Sequence, residues 1–336
     1  MRKLDIIVTH YRLPFDAGKQ LFDTIAVQRG INFADIRVIV VNDGYESILP
    51  AEAFDAYPYR VEQHTIPHSG VSAARNKGLC VADAEWVLIC DFDDGFYNVY
   101  ALEKFFEQMR GGINVIIGKF YQECLRDGKF VLKEFTWRDG IFVHAKMFRR
   151  QWLEDNQLHF NDQLTLHEDS YFITLCLFTA GEGEVAMIED PVYIWQYNPS
   201  SASRLGGDFT LRTFDHWVRK EDALIQELVS RNLFNCVKIV VMDAVAETYC
   251  NLFRQSWLLP SEAMYYCDAK KWWRWFARRY REVINVLDPE KLADRIRKQT
   301  DFFMKFEPID PARPAFSEWI QEYIREDKGE KENGQS

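Results

Sequence analysis

The stretch "EWVLICDFDDGFY" (85–97) changes character halfway along. Val87, Leu88, Ile89 and Cys90 make an apolar run suited to a buried strand, and Asp91, Asp93 and Asp94 close it. Carboxylates this near one another resist ionising together, and a cation relieves the repulsion. Oxygen ligands at such density suit Mg²⁺ or Mn²⁺. One acidic residue where a strand meets solvent is ordinary; three are a site. A phosphatase of the haloacid dehalogenase type would want Thr or Val where Gly95 stands. An EF-hand loop would want a third ligand at 95 and Gly at 96, but the chain has Gly95 and Phe96.

The same alternation runs outward from this stretch. "LDIIVT" (4–9), "IRVIVVNDG" (36–44), "YRVEQHTI" (59–66) and "INVIIGKF" (113–120) read as strands. Between them, "DAGKQLFDTIAVQRG" (16–30) has apolar Leu21, Phe22, Ile25 and Ala26 at helical spacing and predicts a helix capped by Gly30. Residues 70–83 and 98–111 read as further helices. Continuous apolar strands alternating with helices predict an α/β fold, with a mainly parallel sheet flanked by helices on both faces. Ligands of such sheets lie beyond the carboxyl ends of the strands. The polar clusters at 9–12, 42–44 and 91–94 all fall there, so they are expected to converge. After residue 205 the texture becomes helix-periodic and poor in Gly. The expected division is a catalytic domain over 1–205, a helical C-terminal domain over 206–326 and a disordered tail over 327–336.

Composition narrows the class. A net charge of −10 argues against broad, sequence-independent binding to nucleic acid. Seven cysteines without a C-x-x-C pair read as reduced thiols of a cytoplasmic protein. Met1-Arg2-Lys3 leads straight into a strand, so no signal peptide is expected, and no apolar run is long enough to span a membrane.

Five segments taken together, "IIVTHYR" (6–12), "VIVVNDG" (38–44), "GVSAARNKGL" (70–79), "WVLICDFDD" (86–94) and "HEDSYF" (167–172), resemble glycosyltransferase family 2 in order and spacing. The resemblance covers residues 4 to 204 and implies the Rossmann-like GT-A fold. It also implies transfer of a sugar from a nucleotide diphosphate, with inversion, to an acceptor hydroxyl of a glycan or polymer. On the family pattern Thr9, Tyr11, Arg12 and Asp43 would hold base and ribose. Asp43 could accept from a uracil N3–H, which favours a UDP-sugar. Arg75 and Asn76 would line the same pocket. Asp91 and Asp93 match the D-x-D motif, with Asp93 the direct ligand of Mn²⁺ or Mg²⁺ and Asp91 facing ribose or metal-bound water; Asp94 would orient them or touch the sugar. Asp169 matches the general base, with Glu168 and His167 orienting it. "HED" also reads as the acidic first turn of a helix over 167–180.

Weaker implications attach to His144 and Lys146 (sugar or phosphate), Arg204 (diphosphate), and Trp137 and Trp195 (stacking on a sugar); surface or core roles explain these residues as well. In "AKKWWRWFARRYREVINVL" (269–287), Trp272, Phe276, Tyr280, Val283 and Leu287 form an apolar stripe beside Lys270, Arg274, Arg278 and Arg281. This reads either as a helix packed on its aromatic face or as a peripheral contact with an anionic surface, such as the inner face of a membrane. Three rival functions stay open: a nucleotidyltransferase, a transferase acting on a modified nucleic-acid base or a protein, and a non-catalytic scaffold. The first would carry a Gly- and Lys/Arg-rich loop after its first strand, and "THYRLPFD" is not one.

Overall fold

The computed structural model describes residues 2–136, 141–199 and 208–325, so Trp137, Arg204 and the tail 327–336 lie outside the described residues. The chain divides into two compact units, Met1–Ser201 and Ala202–Ser336.

The first unit is built on β1 (Leu4–His10), β2 (Ile36–Asp43), β3 (Arg60–Ile66), β4 (Trp86–Asp91), β5 (Gly95–Phe96), β6 (Val115–Arg126), β7 (Lys129–Phe135), β8 (Lys146–Arg149) and β9 (Val185–Trp195). They join in one sheet of order β3-β2-β1-β4-β8-β6-β9-β5, with β7 paired to β6. Strands β3, β2, β1 and β4 are mutually parallel. Beyond β4 the sheet is mixed, because β8 enters antiparallel between β4 and β6. Helices α1 (Phe15–Ala26), α2 (Val71–Val81), α3 (Ala101–Gln108), α4 (Arg150–Asp155) and α5 (Glu168–Thr179) connect these strands.

Both faces of β1, β2 and β4 are buried, as unbroken apolar strands require, while the edge strand β3 is only partly covered. Ile6 and Val8 of β1, Val38 and Val40 of β2 and Leu88 of β4 share one core with Leu21, Phe22 and Ile25 of α1. On the other face α2 lies so close to β1 that a Cβ at Gly78 would stand 2.3 Å from Ile7 Cγ2. A neighbour in a packed strand cannot yield that far, so Gly78→Ala should destabilise the protein by about 1–3 kcal/mol. Chemical denaturation of both proteins checks this.

α1 is shorter than its sequence suggests. It ends at Ala26 with Val27 as its cap, and Gly30, expected at that cap, lies beyond it at a φ of 70°. The reason is local: Gln28 turns its side chain back to donate to the Thr24 carbonyl at 3.0 Å and the Asn98 carbonyl at 2.9 Å, tying the chain to the turn before α3.

Strand register places the site. Thr9 lies opposite Val41 and Asp91, and His10 opposite Asn42. The carboxyl ends of β1, β2 and β4 are therefore level, and their polar residues meet at one edge.

The second unit is helical: α6 (Phe209–Arg212), α7 (Phe214–Ser230), α8 (Phe234–Asn251), α9 (Ala263–Arg279), α10 (Arg281–Asn285), α11 (Pro289–Phe303) and α12 (Phe316–Ile324). The stretch 269–287, expected as one helix, breaks at Tyr280, whose hydroxyl bonds to Asp222 of α7 at 2.5 Å. The buried stripe of α9 is Ala269, Trp273, Phe276 and Ala277, so Phe276 of the expected stripe is buried and Trp273 stands inward in place of Trp272. Trp273 stacks on Trp319 of α12, while Arg219 covers the face of Trp272. No helix among the described residues is long and apolar enough to cross a membrane.

Candidate active site

The "DFDD" turn is anchored by its apolar member. Phe92 is 2% exposed and packs on His10 and Phe22, filling the space that Gly18 of α1 leaves by lacking a Cβ. With Phe92 held inward, the carboxylates are set along the strand end. Tyr193 of β9 fastens them from the far side: its hydroxyl donates to Asp94 Oδ2 at 2.9 Å and accepts from the Asp91 amide at 3.3 Å. Gln196 N donates to Asp94 Oδ1 at 3.0 Å, and Asn198 Nδ2 donates to Asp93 Oδ2 at 2.7 Å. The described part of "WQYNPSSASR" is thus a strap across the motif.

Ligand-capable atoms converge here. Asp91, Asp94 and His144 each present an atom within 4.8 Å of the others. Asp93, expected as the direct ligand, is not in this trio, because its carboxylate turns to Asn198. Burial, then Asp91 and Asp93, push the Asp94 carboxyl well above its ordinary value. Burial also raises Asp91, but Arg75 and His144 outweigh it and hold that carboxyl below its usual range. His144 is 2% exposed, burial drives its imidazole toward the neutral form, and its Nδ1 has no hydrogen-bond partner. A neutral, buried imidazole nitrogen with two carboxylates in front of it has the donor chemistry of a divalent-metal ligand. The ring is fixed by stacking on Tyr193 and Phe142 and by Trp195 at 5.2 Å, so Trp195 is a wall of this histidine's slot. Lys146 is 1% exposed and donates to the Phe142 carbonyl at 2.6 Å and the His144 carbonyl at 3.3 Å. It shapes the loop that carries His144.

Arg75 joins this cluster to the second acidic pair. From the buried side of α2 its Nη2 donates to Asp91 Oδ1 at 2.9 Å, and its Nη1 donates to Glu168 Oε1 at 3.0 Å and to Asp169. The guanidinium lies over the Phe160 ring. Glu168 and Asp169 form the first turn of α5, and His167 begins it at a φ of 62°. Burial and then Asp169 push the Glu168 carboxyl up to about 8, so at neutral pH the pair holds a proton on Glu168. Asp169 also accepts from the Val143 amide at 3.3 Å, which fixes it beside the His144 loop.

The raised Glu168 value has a defined sign. The folded protein binds that proton more tightly than the unfolded chain, so its stability should fall as pH rises from about 4.5 to about 8. Glu168→Gln, which keeps the neutral shape, should flatten that part of a Tm-against-pH curve. A variant curve parallel to the wild-type curve would refute this.

At the β2 end, Asp43 accepts from the Ser69 amide at 2.7 Å, the Gly70 amide at 3.0 Å and His68 Nδ1 at 2.9 Å. Tyr11 stacks on His68 with ring centroids 4.3 Å apart. Together they form an aromatic shelf above Asp43, and His68 is a participant that sequence reasoning passed over; its place three residues before α2 was the available signal. Arg12, exposed, pairs with Glu46 at 2.9 Å. Asn76 does not join this group. Its amide clamps the 160–162 segment, donating to the Phe160 carbonyl and Asp162 and accepting from the Phe160 amide.

Residues 6–165 match the model described as glycosyl transferase family 2. Glycosyltransferase GlyG of Streptococcus pneumoniae is 21% identical over 252 residues, covering 66% of this chain and 78% of GlyG. Glycosyltransferase YwdF of Bacillus subtilis is 34% identical over 100 residues, 30% of this chain and 35% of YwdF. Among solved structures, S. aureus TarS 1-349 in complex with UDP-GlcNAc aligns over 93% of this chain and 98% of its own, with a TM-score of 0.58 at 15% identity. Against the longer TarS chain the match spans 40% of that chain. Mannosyltransferase PcManGT from Pyrobaculum calidifontis, in complex with GDP-Man and Mn²⁺, aligns over 96% of this chain with a TM-score of 0.51 at 14% identity. At these identities the structures establish the fold, which is GT-A-like.

Proposed function

Because the chain belongs to glycosyltransferase family 2, we propose that it transfers the sugar of a UDP-sugar to an acceptor hydroxyl with inversion and release of UDP, in a metal-dependent reaction. One observation carries the proposal: Arg75 holds a carboxylate of the strand-end cluster, Asp91, and the α5 pair, Glu168 and Asp169, on a single guanidinium. On this reading a single guanidinium serves both the donor and the acceptor chemistry.

Asp91, Asp94 and His144 would hold Mn²⁺ or Mg²⁺, which when bound supplies positive charge against the leaving diphosphate. Tyr11, His68 and Asp43 would receive the nucleoside, and Thr9 ends the strand between them and Asp91. Asp169 takes the acceptor proton, while Glu168, already protonated at neutral pH, cannot compete for it. A single base and a single displacement invert the anomeric centre. An acceptor of the glycan or polymer class fits this reading, and the cations of α9 support an anionic one: Lys271, Arg274, Arg278 and Arg279 line a recess around half-exposed Trp275.

The test is a thermal-shift comparison of UDP, GDP, CMP, dTDP and ADP, each with Mn²⁺ and with EDTA. UDP at a hundred times its Kd should stabilise the folded state by about 2.7 kcal/mol, a shift on the order of 5–10 °C, and only with metal. Equal shifts in EDTA would refute the metal; a larger shift with another nucleotide would refute UDP.

A further inference from the structure

The C-terminal unit contains a recess of about 450 Å³ with no part in the proposed reaction. That volume is within the range of small-ligand pockets. Its walls are apolar: Tyr249 of α8, Leu292, Ala293 and Ile296 of α11, and Phe316 of α12. Arg313 also lines it. The guanidinium of Arg313 lies 4.8 Å from the Tyr249 ring centroid, and its Nη2 donates to Thr300 Oγ1 at 3.2 Å. Its Nη1 is buried with no hydrogen-bond partner. Among the described residues no carboxylate pairs with Arg313. The other arginine of the lining, Arg297, is tied to Asp294, and Asp301 is exposed.

A buried guanidinium N–H without an acceptor is costly, and native structures rarely keep one without cause. An oxyanion would satisfy it with a charge-assisted hydrogen bond. The surrounding apolar wall then selects what the oxyanion is attached to. Beyond the recess Phe302 stands in the last turn of α11, and the chain continues through Met304 to Phe306, all three about half exposed or more. This apolar edge is continuous in sequence with the recess wall.

We propose that the recess binds a single-chain anionic amphiphile, its carboxylate or phosphate on Arg313 and its hydrocarbon against Leu292, Ile296 and Phe316. None of these residues belongs to the proposed sugar-transfer centre, so the test does not depend on turnover.

Calorimetric titration of the full chain with dodecanoate, dodecyl phosphate and dodecanol, each below its micelle concentration, provides that test. Both anions should bind at least tenfold more tightly than the alcohol. Shortening the chain should weaken binding by roughly fourfold per methylene. Arg313→Gln should bring the anions down to the level of dodecanol and leave dodecanol unchanged. Ala293→Trp, which fills the recess from a site exposed enough to tolerate the ring, should remove all three, with thermal melts confirming that both variants fold. Equal affinity for anion and alcohol, binding unaltered in Ala293→Trp, or no binding at all would overturn the proposal. Sedimentation with phosphatidylglycerol vesicles separates the sources. Loss of co-sedimentation in a Phe302→Ser, Phe306→Ser variant identifies a bilayer lipid, and binding of the monomeric amphiphile without vesicle binding identifies a free one; each supports the site.

Discussion

Asp169→Asn should lower kcat by about a thousandfold while leaving the protein folded and its affinity for UDP and metal nearly unchanged. The expected size follows from removing a general base, which contributes typically 10²–10⁴-fold. The selectivity follows from position. Asp169 bonds to Arg75 and to the Val143 amide, and an asparagine carbonyl can accept from both, so the first turn of α5 keeps its place. It is also not one of the residues whose ligand atoms meet at the strand end, so donor binding does not depend on its charge. Glu168→Gln is the control. With a carboxyl raised to about 8, Glu168 is largely neutral at pH 7, and the amide imitates that state. Its turnover at pH 7 should stay within a few fold of wild type, and any change in the wild-type rate near pH 8 should be absent from the variant. UDP release measured across pH separates the two carboxylates. Loss in Glu168→Gln with near-normal turnover in Asp169→Asn would exchange their roles.

Much of the first unit was legible because its signals are local. Apolar runs such as "IIVT" and "VIVV" end in polar residues, and strand register carries those ends to one edge whatever the details of the connections. The acids of "DFDD" and "HED" could be named for the same reason. What was not legible depended on residues far apart in sequence. His144 Nδ1 stands 3.5 Å from Asp94 across fifty positions of sequence, and only the fold shows that this nitrogen is buried there without a hydrogen bond. Tyr193 bonds to Asp94 and Asn198 to Asp93, both from about a hundred positions further along the chain. Asn76 sits beside Arg75 in the sequence, yet successive helical residues point about 100° apart, so one faces the acids and the other clamps Phe160. In α9 the shift from Trp272 to Trp273 has a similar origin. Nearly every position there is aromatic or basic, so spacing alone does not say which tryptophan meets Trp319.

The largest combined effect is expected at Arg75, because one side chain there supports both stability and chemistry. Arg75 is 2% exposed and faces Asp91, Glu168 and Asp169. Burial alone would lower its pKa, but the three carboxylates more than offset that and raise it. Arg75→Gln leaves those acids packed together without their cation, and breaking a buried ion cluster from one side costs about 3–5 kcal/mol. For a unit of this size that is a fall of roughly 6–20 °C in Tm. The pH dependence between pH 8 and 5 should steepen, because the wild type already gains stability there from Glu168 as pH falls. In the wild type, Asp91 is held below its ordinary value, so its contribution is present above that value and is lost as pH falls through the depressed one. In Arg75→Gln the crowded acids bind protons more tightly than the unfolded chain does, so stability should return as pH falls from 7 toward 5. Arg75→Lys divides the two functions. An ammonium keeps the charge, and so most of the stability, but lacks the planar fork that meets Asp91 with one nitrogen and Asp169 with the other. That variant should fold with a near-normal Tm and still transfer sugar about a hundredfold more slowly. A lysine variant with wild-type turnover would show that charge alone suffices at this position and that the alignment of Asp91 with Asp169 through one guanidinium is not needed for transfer.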